Sequence, residues 1–506
     1  MVEIMLIYPL LTPLIGAILI TLIGWFKEDN KLLGGLSTAS LAITLGLSAY
    51  VMGEFLNKGT LIYYFTPPPN STCLAVDGLS AFMALLSSLI VLTSSVYSIG
   101  YLREGRLTQY YVLLQFLALS LIGLAYAGDY FTLFIFFEFT FLVAVALVAF
   151  YRSREALEAS FKYFVMGTLG AVASLLGIAM IYGLTGTFNI ALSLRLIKAH
   201  PLGNLMPLIF SLLFFGFGVE AAVVPLHFWL IDAHPAAPSS ISAVLSGVVI
   251  KGGIYAILRT SSPFISSNAR GLGIAWPYNI SALLFLVGAL TVTLPNLIAL
   301  VQTDVKRLLA YSSVYNVGVI TLGIAVGTPF ALTASLFHLM NHAILKANLF
   351  LSSGAYIMRV GTRDLRQLRG IGRRMPFSAT VLSLSSLSLA GLPPLNGFYS
   401  KVLIIWAALT SNTYFGLPIA VLLALNAAIS MGYYVAKLIR DSWMYEETDL
   451  VKGAKEAPIS LVISQLILLV LTIAISVFPW FFYGYINKAV ISFLDFDHYV
   501  KAVIGG

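Results

Sequence analysis

Residues 216–259 read GFGVEAAVVPLHFWLIDAHPAAPSSISAVLSGVVIKGGIYAILR. An apolar run carries a glutamate and then a proline; two histidines follow, and a second apolar run holds a lysine near its middle. Glu220 and Lys251 therefore sit in stretches otherwise fit for hydrocarbon, where a charged side chain costs about 3 kcal/mol on insertion scales. Pro225 removes a backbone donor in mid-run and breaks the helical ladder. Interrupted helices flanked by ionisable groups are how many transporters build an ion site at bilayer depth. The stretch predicts an all-α membrane protein that passes protons or small cations.

The rest of the chain agrees. Hydrophobic residues make up 59% of 506 and charged residues 10%, with a mean hydropathy of +0.93, far from a soluble globular composition. About 20 apolar residues span hydrocarbon as a helix. Fourteen such segments are expected, near 4–26, 33–55, 79–100, 109–127, 130–150, 157–184, 205–230, 239–259, 277–300, 305–325, 330–357, 376–410, 414–437 and 458–485. No basic residue precedes the first, which is the wrong flank for a cleaved signal peptide, so it is expected to remain as a helix.

Other function classes lose support. A single cysteine, Cys73, holds neither an iron–sulfur cluster nor a structural zinc, so electron chemistry is expected in another subunit and no cofactor or metal in this one. No phosphate-binding or dinucleotide-binding glycine pattern is present. The net charge of +8 calls for no nucleic acid, because topology accounts for it. Loops after odd-numbered segments hold eighteen basic residues, six of them in the cluster Arg359, Arg363, Arg366, Arg369, Arg373 and Arg374; the opposite loops and C-terminal end hold seven, including Arg259 and Arg270. Positive loops stay inside, so both termini are expected outside the cytoplasm.

A second break stands at Pro393 and Pro394 in the twelfth segment. Each break is fourth in a block of five segments, and an odd block length inserts the two copies upside down to one another. The expected organisation is three N-terminal helices over 1–108, inverted repeats over 109–260 and 261–440 with segments 7 and 12 broken, and a last helix and tail over 441–506. The bland alternative is that the prolines only bend two helices, but Glu220 precedes Pro225 by five residues and Lys401 follows Pro394 by seven.

Glu138 lies centrally in YFTLFIFFEFTFLVAVALVAF and needs a partner from another helix. Lys251 follows small residues that admit close packing, and a buried lysine can exchange its proton where arginine cannot; a lysine snorkelling to the interface is the alternative. His338, His342 and Lys346 form one stripe at i, i+4 and i+8. They suit a proton relay, a zinc pair lacking further local ligands, or a structural hydrogen-bonded pair. His227, His234 and Lys306 are candidates for ion uptake or relay, although Asp232, His234 and Pro235 also read as the turn into the next helix.

At these residues the chain resembles the antiporter-like subunits shared by respiratory complex I, membrane-bound hydrogenases and Mrp-type sodium/proton antiporters. The matching stretches are PLHFWLIDAHPAAPSSISAVLSGVVIKGGIY, TDVKRLLAYSSVYNVG, FHLMNHAILKANLF and GLPPLNGFYSK, spread with the Glu138 segment over about residues 110–410. The resemblance implies a fourteen-helix inverted-repeat fold in which Glu138, Lys251 and Lys401 match the family's ion-handling residues and His338, His342 and Lys346 its relay. One position departs: Glu220 stands where most relatives carry a lysine that pairs with the glutamate. Two neighbouring carboxylates share a proton or hold a cation between them. With about twenty residues after the fourteenth segment, the chain is expected to lack the lateral helix of the largest complex I subunit and looks closer to the hydrogenase and Mrp members.

The expectation is a proton- or sodium-translocating subunit of a multi-subunit complex in a prokaryotic cell membrane, with further membrane subunits and peripheral redox subunits as partners. A stand-alone cation/proton antiporter and a structural subunit with impaired pumping are the alternatives.

Overall fold

The computed structural model describes residues 3–66, 72–103, 105–199, 205–266 and 278–504; Arg270 and the expected start of the ninth segment at 277 lie outside them. The chain folds into helices α1 (Tyr8–Phe26), α2 (Asn30–Lys58), α3 (Gly78–Tyr101), α4 (Leu107–Tyr126), α5 (Tyr130–Val148), α6 (Arg154–Thr185) and α7 (Ile190–Ala199), with a hairpin of β1 (Leu61–Tyr64) and β2 (Cys73–Val76) between α2 and α3. There follow α8 (Leu205–Glu220), α9 (Phe228–Ala236), α10 (Ser239–Val244), a π-helical turn (Leu245–Val249), α11 (Ile250–Ser266), α12 (Tyr278–Val301), α13 (Val305–Ala325) and α14 (Pro329–Val360). The remainder is α15 (Pro376–Ala390), α16 (Asn396–Thr410), α17 (Gly416–Tyr433), a second π-helical turn (Tyr434–Ile439), α18 (Arg440–Trp443), α19 (Ile459–Val477), α20 (Pro479–Leu494) and α21 (Phe496–Ile504). Eleven helices among the described residues are long and apolar enough to cross a membrane, and the molecule is a mostly helical membrane protein.

Local chemistry sets the helix starts. Asp77, Asp129, Asp304 and Thr328 accept from the backbone amides of Ser80, Thr132, Arg307 and Ala331 and so cap α3, α5, α13 and α14. Two expected helices are interrupted, as their prolines dictate. The first stops at Glu220 and resumes at Phe228; the second stops at Ala390 and resumes at Asn396.

The core lies around α14, which is buried without a gap from Ala331 to Tyr356. It packs on α3, α10, α13, α15, α16, α19 and α20. The stretch from Ser239 to Ser261 is buried just as completely. By contrast α6 and α19 turn Leu169, Val172, Leu176, Val470 and Ile473 outward, the arrangement for elements bordering lipid or another apolar subunit. Glycine sets the closest helix crossing beside the first break: a methyl group on Gly253 would come within 2.5 Å of the Ala221 nitrogen and 2.7 Å of the Phe217 oxygen.

The structure corrects several sequence boundaries. Asp232, His234 and Pro235 belong to the last turns of α9, and the chain turns at Ala237–Pro238 instead. The last expected segment is two helices joined at Phe478, and the residues after it are helical as well.

Candidate functional site

Glu220 is the final residue of α8 and is 2% exposed. Its Oε1 accepts a 2.5 Å hydrogen bond from the Tyr163 hydroxyl on α6. The Tyr163 ring stacks on Trp229 of α9, with centroids 3.8 Å apart and planes 6° from parallel, and Trp229 Nε1 donates to the Val219 oxygen at 2.7 Å. One aromatic pair thus joins both halves of the interrupted helix and orients the carboxylate. Between the halves, the Val224 amide donates to Thr291 Oγ1 of α12 at 3.0 Å, which satisfies a backbone group freed by the break. Glu138 is half-buried on α5 beside Phe137, whose ring meets that of Phe217 on α8 at 4.8 Å, and its Oε1 is buried without a hydrogen-bond partner among the described residues.

Lys251 is fully buried at the start of α11, immediately after the first π-helical turn, and its ammonium donates to the Ser246 oxygen within that turn. Such turns release backbone carbonyls from the regular ladder and recur at functional sites. Ser246 Oγ meets Ser313 Oγ of α13 at 2.8 Å. Lys251 does not snorkel: none of it reaches the surface.

Two of the three groups of the α14 stripe, Lys346 and His338, are joined by a chain of hydrogen bonds through α13. Lys346 donates to Ser312 Oγ and to the Leu309 oxygen, the latter at 2.9 Å. Ser312 O accepts from Asn316 Nδ2 at 2.7 Å, Asn316 Oδ1 lies 3.1 Å from His338 Nε2, and His338 Nδ1 lies 2.9 Å from Ser400 Oγ. Ser400 adjoins Lys401 on α16. Lys401 donates to the Leu389 oxygen near the end of α15, where unpaired carbonyls and the helix dipole favour a cation. His342 lies between the path's ends, its ring 6.3 Å from that of His338, and neither ring nitrogen has a hydrogen-bond partner among the described residues. Among these residues no group of three or more His, Cys, Asp or Glu could hold a metal.

His234 is fully buried and stacks on Phe350 at 4.4 Å; both its nitrogens lack hydrogen-bond partners among the described residues. Lys306, also buried, donates to the Ala237 oxygen at 2.7 Å and so caps the end of α9. His227 opens α9 and rests beside Phe228. Sequence reading missed the connecting groups: Tyr163, Ser246, Ser312, Asn316 and Ser400. A signal existed for two of them, because Ser312 and Asn316 stand one turn apart and so share a face of their helix.

Fold and site together define a polytopic helical membrane protein with lysines, carboxylates and histidines gathered at interrupted and π-bulged helices. The chain belongs to the family described as NADH:quinone oxidoreductase/Mrp antiporter, TM, which residues 127–426 match. It is 36% identical over 359 residues to hydrogenase-4 component B of Escherichia coli, covering 68% of this chain but only about half, 52%, of that one. It is 28% identical over 503 residues to one of the Na(+)/H(+) antiporter subunits of Bacillus subtilis, covering 98% of this chain and 99% of that one. A chain of the membrane-bound sulfane sulfur reductase, an archaeal respiratory membrane complex, superposes with a TM-score of 0.89 at 28% identity, covering 99% of this chain and 100% of that one.

Proposed function

We propose that this chain is the antiporter-like, ion-translocating membrane subunit of a multi-subunit energy-converting complex, moving protons or sodium ions across a prokaryotic cell membrane. The observation that carries the reading is the buried path from Lys346 through Ser312, Asn316 and His338 to Ser400, beside Lys401. Charged and polar side chains at this depth are costly without partners and serve ion pathways. In this reading Glu138, Glu220, Lys251, His338, His342, Lys346 and Lys401 hold or pass the ion, and His234 and Lys306 connect the inner side to them. The complex supplies further membrane subunits, with redox subunits at its periphery.

Within the same reading, α14 and the two interrupted helices bring the spans to fourteen, arranged as inverted repeats over 109–260 and 261–440, with both termini outside. A π-helical turn in the last helix of each block, at Leu245–Val249 and Tyr434–Ile439, supports that repeat.

The test is flux through the purified complex in liposomes. Lys346→Ala and His338→Ala are expected to lower it tenfold or more while assembly is kept. Wild-type flux in both would overturn the proposal. Flux by the purified chain alone would favour a stand-alone antiporter.

A further inference from the structure

One buried polar cluster lies apart from the path just described. It begins on α11, where Lys251, Tyr255 and Arg259 fall at i, i+4 and i+8 on one face and all are buried. The Tyr255 hydroxyl donates to the Ala125 oxygen at 2.6 Å, lies 3.3 Å from Ser80 Oγ on α3, and accepts from Arg259 Nε at 3.2 Å. Arg259 Nη1 and Nη2 each donate to one oxygen of Asp77 at 2.7 Å, and Nη2 also donates to Ser80 Oγ at 2.9 Å. Phe493 and Tyr499 of the C-terminal helices cover the guanidinium, with ring centroids 5.4 and 5.7 Å away. The buried hydroxyl of Tyr499 has no hydrogen-bond partner among the described residues. A buried ion pair is weak evidence for stability in itself, so the hydroxyls arranged around it ask for another reason.

Resting on the reading of this chain as ion-translocating, we propose that Tyr255 and Ser80 form a proton branch that connects Lys251 to the Asp77–Arg259 pair at the outer end of α3 and α11. The Lys251 ammonium now points back to the Ser246 oxygen. Lys251 and Tyr255 stand one turn apart on the same face, a rise of about 6 Å that the lysine side chain spans when turned the other way along the helix. A proton leaving the ammonium adds to the Tyr255 oxygen while the tyrosine's own hydroxyl proton, which rests on the Ala125 oxygen, swings to Ser80 Oγ; the Ser80 hydroxyl, which rests on the Ala75 oxygen at 3.4 Å, turns to give its proton to the Asp77 carboxylate. Each hydroxyl gains one proton and loses one, Lys251 is left neutral, and Asp77 is left protonated. Arg259 cannot surrender a proton; it is a positioning residue that orients Tyr255, Ser80 and Asp77. The outer end is the one opposite the basic loops.

The experiment measures proton flux and thermal midpoint of the assembled complex in liposomes. Tyr255→Phe keeps the ring and removes only the hydroxyl, and Ser80→Ala removes the second; each is expected to cut flux at least tenfold with the midpoint held. Tyr255→His, which can again take and give a proton, should regain part of the loss. Should Tyr255→Phe and Ser80→Ala keep flux within twofold of the parent while Lys251→Ala abolishes it, the branch is overturned. A lower midpoint with flux per assembled complex retained also overturns it, because the hydroxyls would then only brace Arg259. If Lys251→Ala itself leaves flux unchanged, the ion-translocation reading has failed instead.

Discussion

At the residue scale the unusual group is Glu220. A carboxylate on the last residue of a helix faces the negative end of the helix dipole, a second carboxylate stands nearby, and one tyrosine hydroxyl is its hydrogen-bond donor at 2.5 Å. Uptake of a proton or cation relieves this arrangement, whereas a lysine at the same place would meet the dipole favourably, as Lys401 does beside Leu389. Glu220→Gln is therefore expected to change the coupled sodium and proton stoichiometry of the assembled complex; an unaltered ratio and selectivity would sink the idea. Glu220 and Glu138 were legible in the sequence because charge is rare in apolar runs. Tyr163 was not, since nothing local distinguishes a tyrosine that reaches a carboxylate on another helix from one that only fills space.

At the element scale, proline and small residues set the geometry. The prolines announced both interruptions, but not that Trp229 and Tyr163 would stack to hold the first one shut. Gly253 lets α11 lie directly against the end of α8, beside Glu220. Gly253→Leu forces that backbone apart, because nearby atoms at 2.5 and 2.7 Å from the first added carbon belong to the main chain and cannot swing aside. Overpacking costs about 1–3 kcal/mol or more, so a lower thermal midpoint is expected, together with reduced flux per assembled complex. An unchanged midpoint would refute the close crossing. The hairpin Leu61–Tyr64 with Cys73–Val76 and the π-helical turns escaped sequence reading: the strands are four residues each, and a single added residue in a helix leaves almost no trace in hydrophobic periodicity.

At the scale of the whole molecule, the Asp77–Arg259 pair ties together α3, α11 and the C-terminal tail, which are far apart in sequence. Counting Arg259 among the outer-loop charges did not anticipate its burial. Asp77→Asn leaves a buried guanidinium without its counter-charge, and removing one partner of such a pair costs about 3–5 kcal/mol. The complex should then assemble poorly or melt earlier, as size-exclusion profiles and thermal unfolding would read; normal assembly and melting would argue that the pair contributes little.

The amino-acid sequence by itself determined the membrane setting, the approximate positions of the spans, the two interruptions, and which titratable side chains sit within apolar segments. Hydropathy, proline chemistry and helical spacing are local properties, so they can be read in order along the chain. Only the tertiary structure decided which of those groups meet: Tyr163 with Glu220, His338 with Asn316 and Ser400, Lys306 with the end of α9, and Arg259 with Asp77. Each pairing joins groups from different helices or their caps, and it is the packing of those helices, not the spacing within any one of them, that brings a donor within reach of its acceptor.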